Sequence, residues 1–188
     1  KSGRSTWGIE RYFNLIEETE DEIFLPRGFI GKLLRFCRKQ KIDHLFYDNR
    51  DQLAKVVYKC DLPLRPHQET VLRTTHKKEF GVIVAPPGAG KTVIGLKIIS
   101  EKQQPALIIV HRKQLLEQWV DRVEAFLGIP RKEIGKIGQG RHKIGKQITI
   151  AMIQSLAKKI AKAEVQELTK LFGILIVDEC HHIPAKTY

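Results

Sequence analysis

The sequence predicts an α/β protein: a phosphate-loop domain with a mostly parallel sheet, preceded by a small α/β module. Three observations carry this. From Leu62 onward, short aliphatic runs alternate with amphipathic helical stretches. A glycine-rich loop, Ala85–Thr92, lies between one such run and the next helical stretch. A later run, Ile174–Val177, ends directly in the carboxylates Asp178 and Glu179.

The elements follow in order. Residues 1–61 are basic and patchily apolar and form the predicted N-terminal module, a candidate DNA-binding element. The start, Lys1-Ser2-Gly3-Arg4, reads as an internal cut. Arg11–Ile16 and Glu22–Leu25 flank an acidic turn at Glu20-Asp21, which predicts a hairpin. After Pro26, Phe29, Ile30, Leu33, Leu34 and Cys37 recur at helical spacing, with Lys32, Arg35, Arg38 and Lys39 opposite. His44–Tyr47 reads as a short strand. The prolines of Asp61–Pro66 resist both helix and central strand and mark the junction to the second domain, 62–188.

In that domain the near-continuous aliphatic runs 81–85, 106–110, 147–152 and 173–178 suit strands covered on both faces. Helices are expected over 92–101, 113–126 and 155–171.

Composition excludes several classes. An apolar share of 42% with 29% charged residues is enough to bury a core and argues against a disordered chain. Lys+Arg 33 against Asp+Glu 21 leaves +12, which points to a polyanionic partner, most simply nucleic acid. No apolar run approaches the roughly 20 residues of a membrane helix, and no secretory leader is recognisable. Cys37, Cys60 and Cys180 are odd in number and contain no Cys-x-x-Cys pair. That excludes a disulfide scaffold and a four-thiolate zinc site, and a reducing cytoplasm is expected.

Ala85-Pro86-Pro87-Gly88-Ala89-Gly90-Lys91-Thr92 carries the first chemistry. Gly88 and Gly90 permit backbone angles that side chains forbid. The N–H groups of Pro87–Thr92, proline excepted, and the positive end of the following helix then face a phosphate chain. Lys91 is placed for the terminal phosphates of ATP and the Thr92 hydroxyl for Mg²⁺. The strict motif has Gly where this chain has Ala85, which leaves the anion nest of the later glycines intact.

The aliphatic run 174–177 delivers Asp178 and Glu179 to the crevice where α/β sheets bind ligands. Asp178 suits a direct or water-mediated Mg²⁺ contact. Glu179 suits orientation and deprotonation of an attacking water. His181 is placed to couple the nucleotide state to a neighbouring domain. Metal binding by Cys180, His181 and His182 is disfavoured, because three consecutive residues of a regular backbone do not face one ion.

Ala85–Thr92 together with Asp178-Glu179-Cys180-His181 resembles the first motor domain of superfamily-2 DEAD/DEAH-type helicases and translocases, a RecA-like fold. The wording is nearest the restriction-enzyme-like branch. The resemblance extends to Leu64-Arg65-Pro66-His67-Gln68, which implies that Gln68 reads the adenine edge and that Arg65 lies near the base. Val110-His111-Arg112 with Leu115–Trp119 is similar to the superfamily's first DNA-contacting motif, and Thr149–Leu156 to a later one. The implied nucleic-acid contacts are His111, Arg112, Lys113, Thr149, Gln154 and Ser155. Trp119 itself falls in the spacing of Leu115, Leu116 and Val123 and reads as core. A glycine-spaced basic stretch, Arg131–Lys146, is expected to be a flexible loop that tracks the nucleic-acid backbone.

The expected function is therefore the ATP-Mg-binding N-terminal part of a DNA helicase or translocase, with DNA favoured over RNA and no membrane. The rivals are a non-catalytic, ATP-gated nucleic-acid-binding module, and a P-loop ATPase that moves protein. Glu179 argues against the first and the basic balance against the second. The resemblance implies a second motor domain that supplies arginine fingers, worth on the order of 10³–10⁵ in rate. The Ser-Ala-Thr-type coupling motif does not occur before Tyr188. This chain alone is thus expected to bind nucleotide weakly and to hydrolyse it very slowly in a steady-state ATPase assay; brisk, DNA-stimulated turnover would contradict that.

Overall fold

The computed structural model describes residues 16–48, 53–76, 78–160, 167–168 and 170–182. The chain divides into two compact units, 1–49 and 50–188.

In the first unit, β1 (Glu17–Glu18) pairs antiparallel with β2 (Ile23–Phe24). Thr19 closes the turn: its N–H donates to Glu22 O at 2.8 Å, and its Oγ1 accepts from Glu22 N at 3.1 Å. The hairpin is thus offset from the expected pairing, and 11–15 of its first arm lie outside the described residues. A 3₁₀ turn at Arg27–Phe29 leads into α1 (Ile30–Gln40), which stops where Lys41 turns left-handed, φ 54°. None of the residues of α1 is buried. The strand expected at His44–Tyr47 is absent; Leu45, Phe46 and Tyr47 are exposed, with no strand paired to them. A strand-like run becomes a strand only where another strand offers its backbone.

The second unit is built on a five-stranded sheet in the order β5-β4-β6-β3-β7, with β3 Ala106–Val110, β4 Gly135–Gly138, β5 Arg141–Lys143, β6 Ile148–Met152 and β7 Ile174–Val177. Strands β4, β6, β3 and β7 are parallel; β5 returns antiparallel on β4. Their carboxyl ends therefore share one edge. Helices are α2 (Pro66–His76), α3 (Lys91–Lys102), α4 (Lys113–Leu127) and α5 (Ile153–Ile160). Of the long helix expected over 155–171, the first part is α5, and 161–166 lie outside the described residues.

Alternation along the strands sorts the core into two layers. Ala106, Ile108 and Val110 of β3 stand in register with Ile148, Ile150 and Met152 of β6, and Ile174 and Ile176 of β7 continue the row. This face packs against Leu96 and Ile99 of α3 and against Leu116, Trp119, Val120, Val123 and Leu127 of α4. The buried positions of α4 recur at helical spacing, which fixes its apolar stripe on the sheet. On the opposite face Leu107, Ile137 and Ala151 meet Leu156 and Leu168. Tyr58 joins the preceding segment to the sheet's other end, with its hydroxyl 2.9 Å from Gln104 O and 3.0 Å from Gln147 O. Burial pushes the Tyr58 phenol up from its usual value of 10.0.

Two parts of this unit differ from the sequence-based expectation. The basic stretch 131–146 is no flexible loop but holds the β4–β5 ribbon. Gly135 is needed there, because a Cβ would meet Gly145 N and Thr149 Oγ1. The run 81–85, expected as a strand, pairs with none: Val82 and Val84 are 70% and 93% exposed, and among the described residues the sheet ends at β7. Helix α2 was not anticipated, although Pro66 at its first position is a helix-start signal.

Thr149 sits fully buried in β6, where its Oγ1 accepts from the buried Gly145 N–H at 3.0 Å. Thr149→Val keeps the shape and strands that donor, so urea denaturation is expected to show a loss of about 1–3 kcal/mol, with nucleotide affinity unchanged.

Candidate nucleotide site

The site is assembled from two segments, the glycine loop before α3 and the end of β7. The first is the glycine loop. Gly88 and Gly90 hold φ of 79° and 77°, the left-handed region that other residues avoid, and Ala89 N closes a turn onto Pro86 O at 3.2 Å. Gly90 is the residue before α3, so the unpaired N–H groups of the first helical turn, at Lys91 and Thr92, open into the loop. Lys91 and Thr92 are half-buried.

The second is the end of β7. Asp178 N donates to Ile109 O at 2.9 Å, so the parallel ladder runs one residue past the strand and fixes the Asp178 backbone beside β3. Glu179 then turns left-handed at φ 52°, a conformation costing about 1–3 kcal/mol for a residue with a Cβ. The turn brings its carboxylate to the glycine loop. Lys91 Nζ lies 3.0 Å from Glu179 Oε1, and His181 Nδ1 lies 3.4 Å from Glu179 Oε2. Asp178 is held from the side by Trp119, whose indole Nε1 donates to Oδ2 at 2.9 Å. Lys91, Asp178, Glu179 and His181 are thus gathered around one site.

The hydrogen bond from Lys91 holds the Glu179 carboxyl below its ordinary 4.5 against a smaller opposing effect of burial, and the Lys91 charge, His181 and His111 act in the same direction as the bond. Glu179 is accordingly an acceptor at neutral pH, as a water-orienting base must be.

Gln68, the expected adenine reader, is bonded within the protein. It is buried, its Oε1 accepts from Arg65 N at 2.9 Å, and its Nε2 donates to Ala89 O at 3.0 Å. His67 Nε2 lies 3.1 Å from the same carbonyl. Both ends of the Gln68 amide are thus engaged locally, and α2 is tied to the glycine loop. Gly90 makes this possible, since a Cβ there would overlap Gln68 Nε2. Arg65 is exposed beside it.

Of the residues expected at a nucleic acid, Arg112 and Lys113 are exposed at the start of α4, and Ser155 is half-buried near the start of α5. His111 and Gln154 meet across the edge: Gln154 Nε2 donates to His111 O at 2.8 Å. Thr149 belongs to a different place; it lies at the far end of β6 with its hydroxyl spent on Gly145, so the structure does not present it to a ligand. The cations of the basic stretch 131–146 are partly neutralised. Arg131 pairs with Asp121, Glu124 and Glu117, and Lys136 with Glu117. Sequence reasoning missed these pairs, because α4 supplies the acids from a distant stretch.

The donor set suits ATP with magnesium. Thr92 offers a hydroxyl and Asp178 a carboxylate, hard oxygen ligands of the kind Mg²⁺ prefers. Among the described residues no three His, Cys, Asp or Glu side chains cluster as a metal cage.

Comparison with known proteins gives the family. Residues 61–188 match the family described as "Type III restriction enzyme, res subunit". The chain belongs to this family. It is similar to the DNA 3'-5' translocase XPB2 of Sulfurisphaera tokodaii, 35% identical over 138 residues, which cover 73% of this chain and 29% of that protein. It is also similar to the DNA 3'-5' helicase XPB of Mycobacterium tuberculosis, 29% identical over 66% of this chain and 23% of that one. Among solved structures, the UvsW helicase of bacteriophage T4 matches 87% of this chain and 64% of its own at a TM-score of 0.63 and 19% identity, a likeness of fold. The chain spans less than a third of the length of these two relatives. The family match spans the glycine loop and the acidic strand end together. No helix among the described residues is long and apolar enough to cross a membrane.

The Lys91–Glu179 pair sets a pH window. Because the folded-state pKa of Glu179 is depressed, its contribution is fully present above 4.5 and is lost as pH falls through the lower folded value. In Lys91→Ala the Glu179 carboxyl is expected to titrate closer to 4.5, which carboxyl-resolved ¹³C NMR reads directly.

Proposed function

We propose that this chain is the ATP-binding first motor part of a DNA helicase or translocase, working in a longer protein with a second motor domain. The observation that carries the reading is the 3.0 Å approach of Lys91, from the glycine loop, to Glu179, from the end of β7, with Asp178 beside it. A phosphate-binding loop and an ionised, water-orienting carboxylate are of use to each other only across a triphosphate.

In this reading ATP enters by taking Lys91 from Glu179. The Lys91 ammonium and the N–H groups at the start of α3 bind the phosphates. Thr92 and Asp178 hold Mg²⁺, which when bound neutralises charge on the phosphate oxygens. Glu179, released from Lys91, orients and deprotonates the attacking water. His181, already 3.4 Å from Glu179, relays the change to the neighbouring domain. Gln68, unlatched from Ala89, becomes free for adenine, with Arg65 next to it. The second motor domain supplies the transition-state arginines. The names of the XPB relatives favour DNA as the track. Arg112 and Lys113 then meet its phosphates, and His111, Gln154 and Ser155 support the contact. The thiols Cys37, Cys60 and Cys180 are free, which suits a reducing cytoplasm.

In the full-length protein, Glu179→Gln is expected to retain ATP binding, to lower turnover about 10²–10⁴-fold, and to tighten the DNA complex. Lys91→Ala is expected to lose ATP binding. Single-turnover hydrolysis and nucleotide-binding assays distinguish the two; undiminished turnover in Glu179→Gln would overturn the assignment.

A further inference from the structure

The indole of Trp119 stands out among groups that the nucleotide-site reading does not require. Spacing along α4 explains its burial, at 3% exposure, but not the direction of its one polar atom. That atom, Nε1, donates to Asp178 Oδ2 at 2.9 Å. The contact follows from strand alternation: Ile174, Ile176 and Asp178 share the face of β7 on which α3 and α4 pack, so the carboxylate that ends the row comes up against the helix. A third element closes the arrangement. Gly95 of α3 faces the far edge of the ring, where a Cβ would lie 2.9 Å from Trp119 Cη2 and 3.5 Å from Ile176 Cδ1. The ring is thus wedged between the helix that begins at the glycine loop and the strand that carries the carboxylate.

We propose that Trp119 is a positioning residue for the magnesium site: its indole N–H fixes the rotamer of Asp178 by holding Oδ2, which leaves Oδ1 for the ion or its water. An N–H donor to an ionised carboxylate makes a charge-assisted bond, stronger than a neutral one. A carboxylate so anchored meets a metal without first losing rotamer freedom, and removal of such supporting partners typically costs 10–100-fold in metal affinity or activity. The Gly95 gap holds the ring in place for this bond, so a methyl group there disturbs it without touching the donor. The inference rests on the reading of the site as an ATP-Mg site.

The test uses the full-length protein with Trp119→Phe, which keeps an aromatic ring and deletes the donor, and Gly95→Ala, which keeps the donor and displaces the ring. ADP binding is measured by calorimetry in EDTA and across a Mg²⁺ titration. Expected for Trp119→Phe is an ADP affinity in EDTA like that of the wild type, with the Mg²⁺ concentration for half-maximal tightening raised about 10-fold or more. Gly95→Ala is expected to move it in the same direction, and it decides the question if Trp119→Phe does not fold. In metal-free protein, the Trp119 indole ¹⁵N–¹H resonance of Asp178→Asn is expected to be shifted from its wild-type position. A Mg²⁺ dependence unchanged in both variants, with ADP binding in EDTA intact, would show Trp119 to be packing alone. A wild-type protein that binds no ADP with or without Mg²⁺ would instead bring down the nucleotide-site reading, and this inference with it.

Discussion

The structure depends on one alignment: the parallel pairing of β7 with β3, which sets where the chain between Val177 and Glu179 emerges. Ile109 O receives the Asp178 N–H, and from that fixed point the left-handed turn at Glu179 sends one carboxylate to Lys91 while Asp178 stays over the core face. A shift of one residue in this register would put Glu179 or Val177 where Asp178 stands and take the Asp178 carboxylate away from Trp119, since neighbours on a strand point to opposite faces. The aliphatic registers of β3, β6 and β7 hold the alignment, because a slip would turn Ile174 and Ile176 out of the core.

The site satisfies its own charges. Lys91 is paired with Glu179, and Gln68 spends both ends of its amide on Arg65 N and Ala89 O. These contacts engage the groups that the proposed function assigns to the nucleotide, and they tie α2 and the end of β7 to the glycine loop. Gly88 and Gly90 serve this as well, since their backbone angles create the nest and the missing Cβ of Gly90 admits Gln68. The cost of exchange is modest, because Lys91 and Glu179 are both partly exposed and a surface ion pair is weak.

Charge on the rest of the domain is less one-sided than its total. The +12 balance of the sequence includes the basic stretch 131–146, whose Arg131 and Lys136 are paired with Glu117, Asp121 and Glu124 of α4. Arg112 and Lys113, at the other end of that helix, are exposed on the nucleotide-site edge of the sheet. Net charge thus favours a polyanion in general, and local pairing decides which cations remain to meet it.

The sequence by itself determined the parallel strands at 106–110, 148–152 and 174–177, the helices that begin at Lys91 and Lys113, and the residue content of both loops. Each of these is written locally, in hydrophobic period, in glycine at the turns and in carboxylates at a strand end. Tertiary structure decided what rests on a partner from elsewhere in the chain. Whether 81–85 or 44–47 becomes a strand depends on a neighbouring backbone to pair with, which no apolar pattern supplies. That Thr149 is buried follows from its place between β3 and β4, and that Gln68 faces Ala89 follows from α2 lying beside the glycine loop. The bond from Trp119 to Asp178 is of the same kind: helical spacing buries the ring, but only the packing of α4 on β7 gives its N–H a carboxylate to hold.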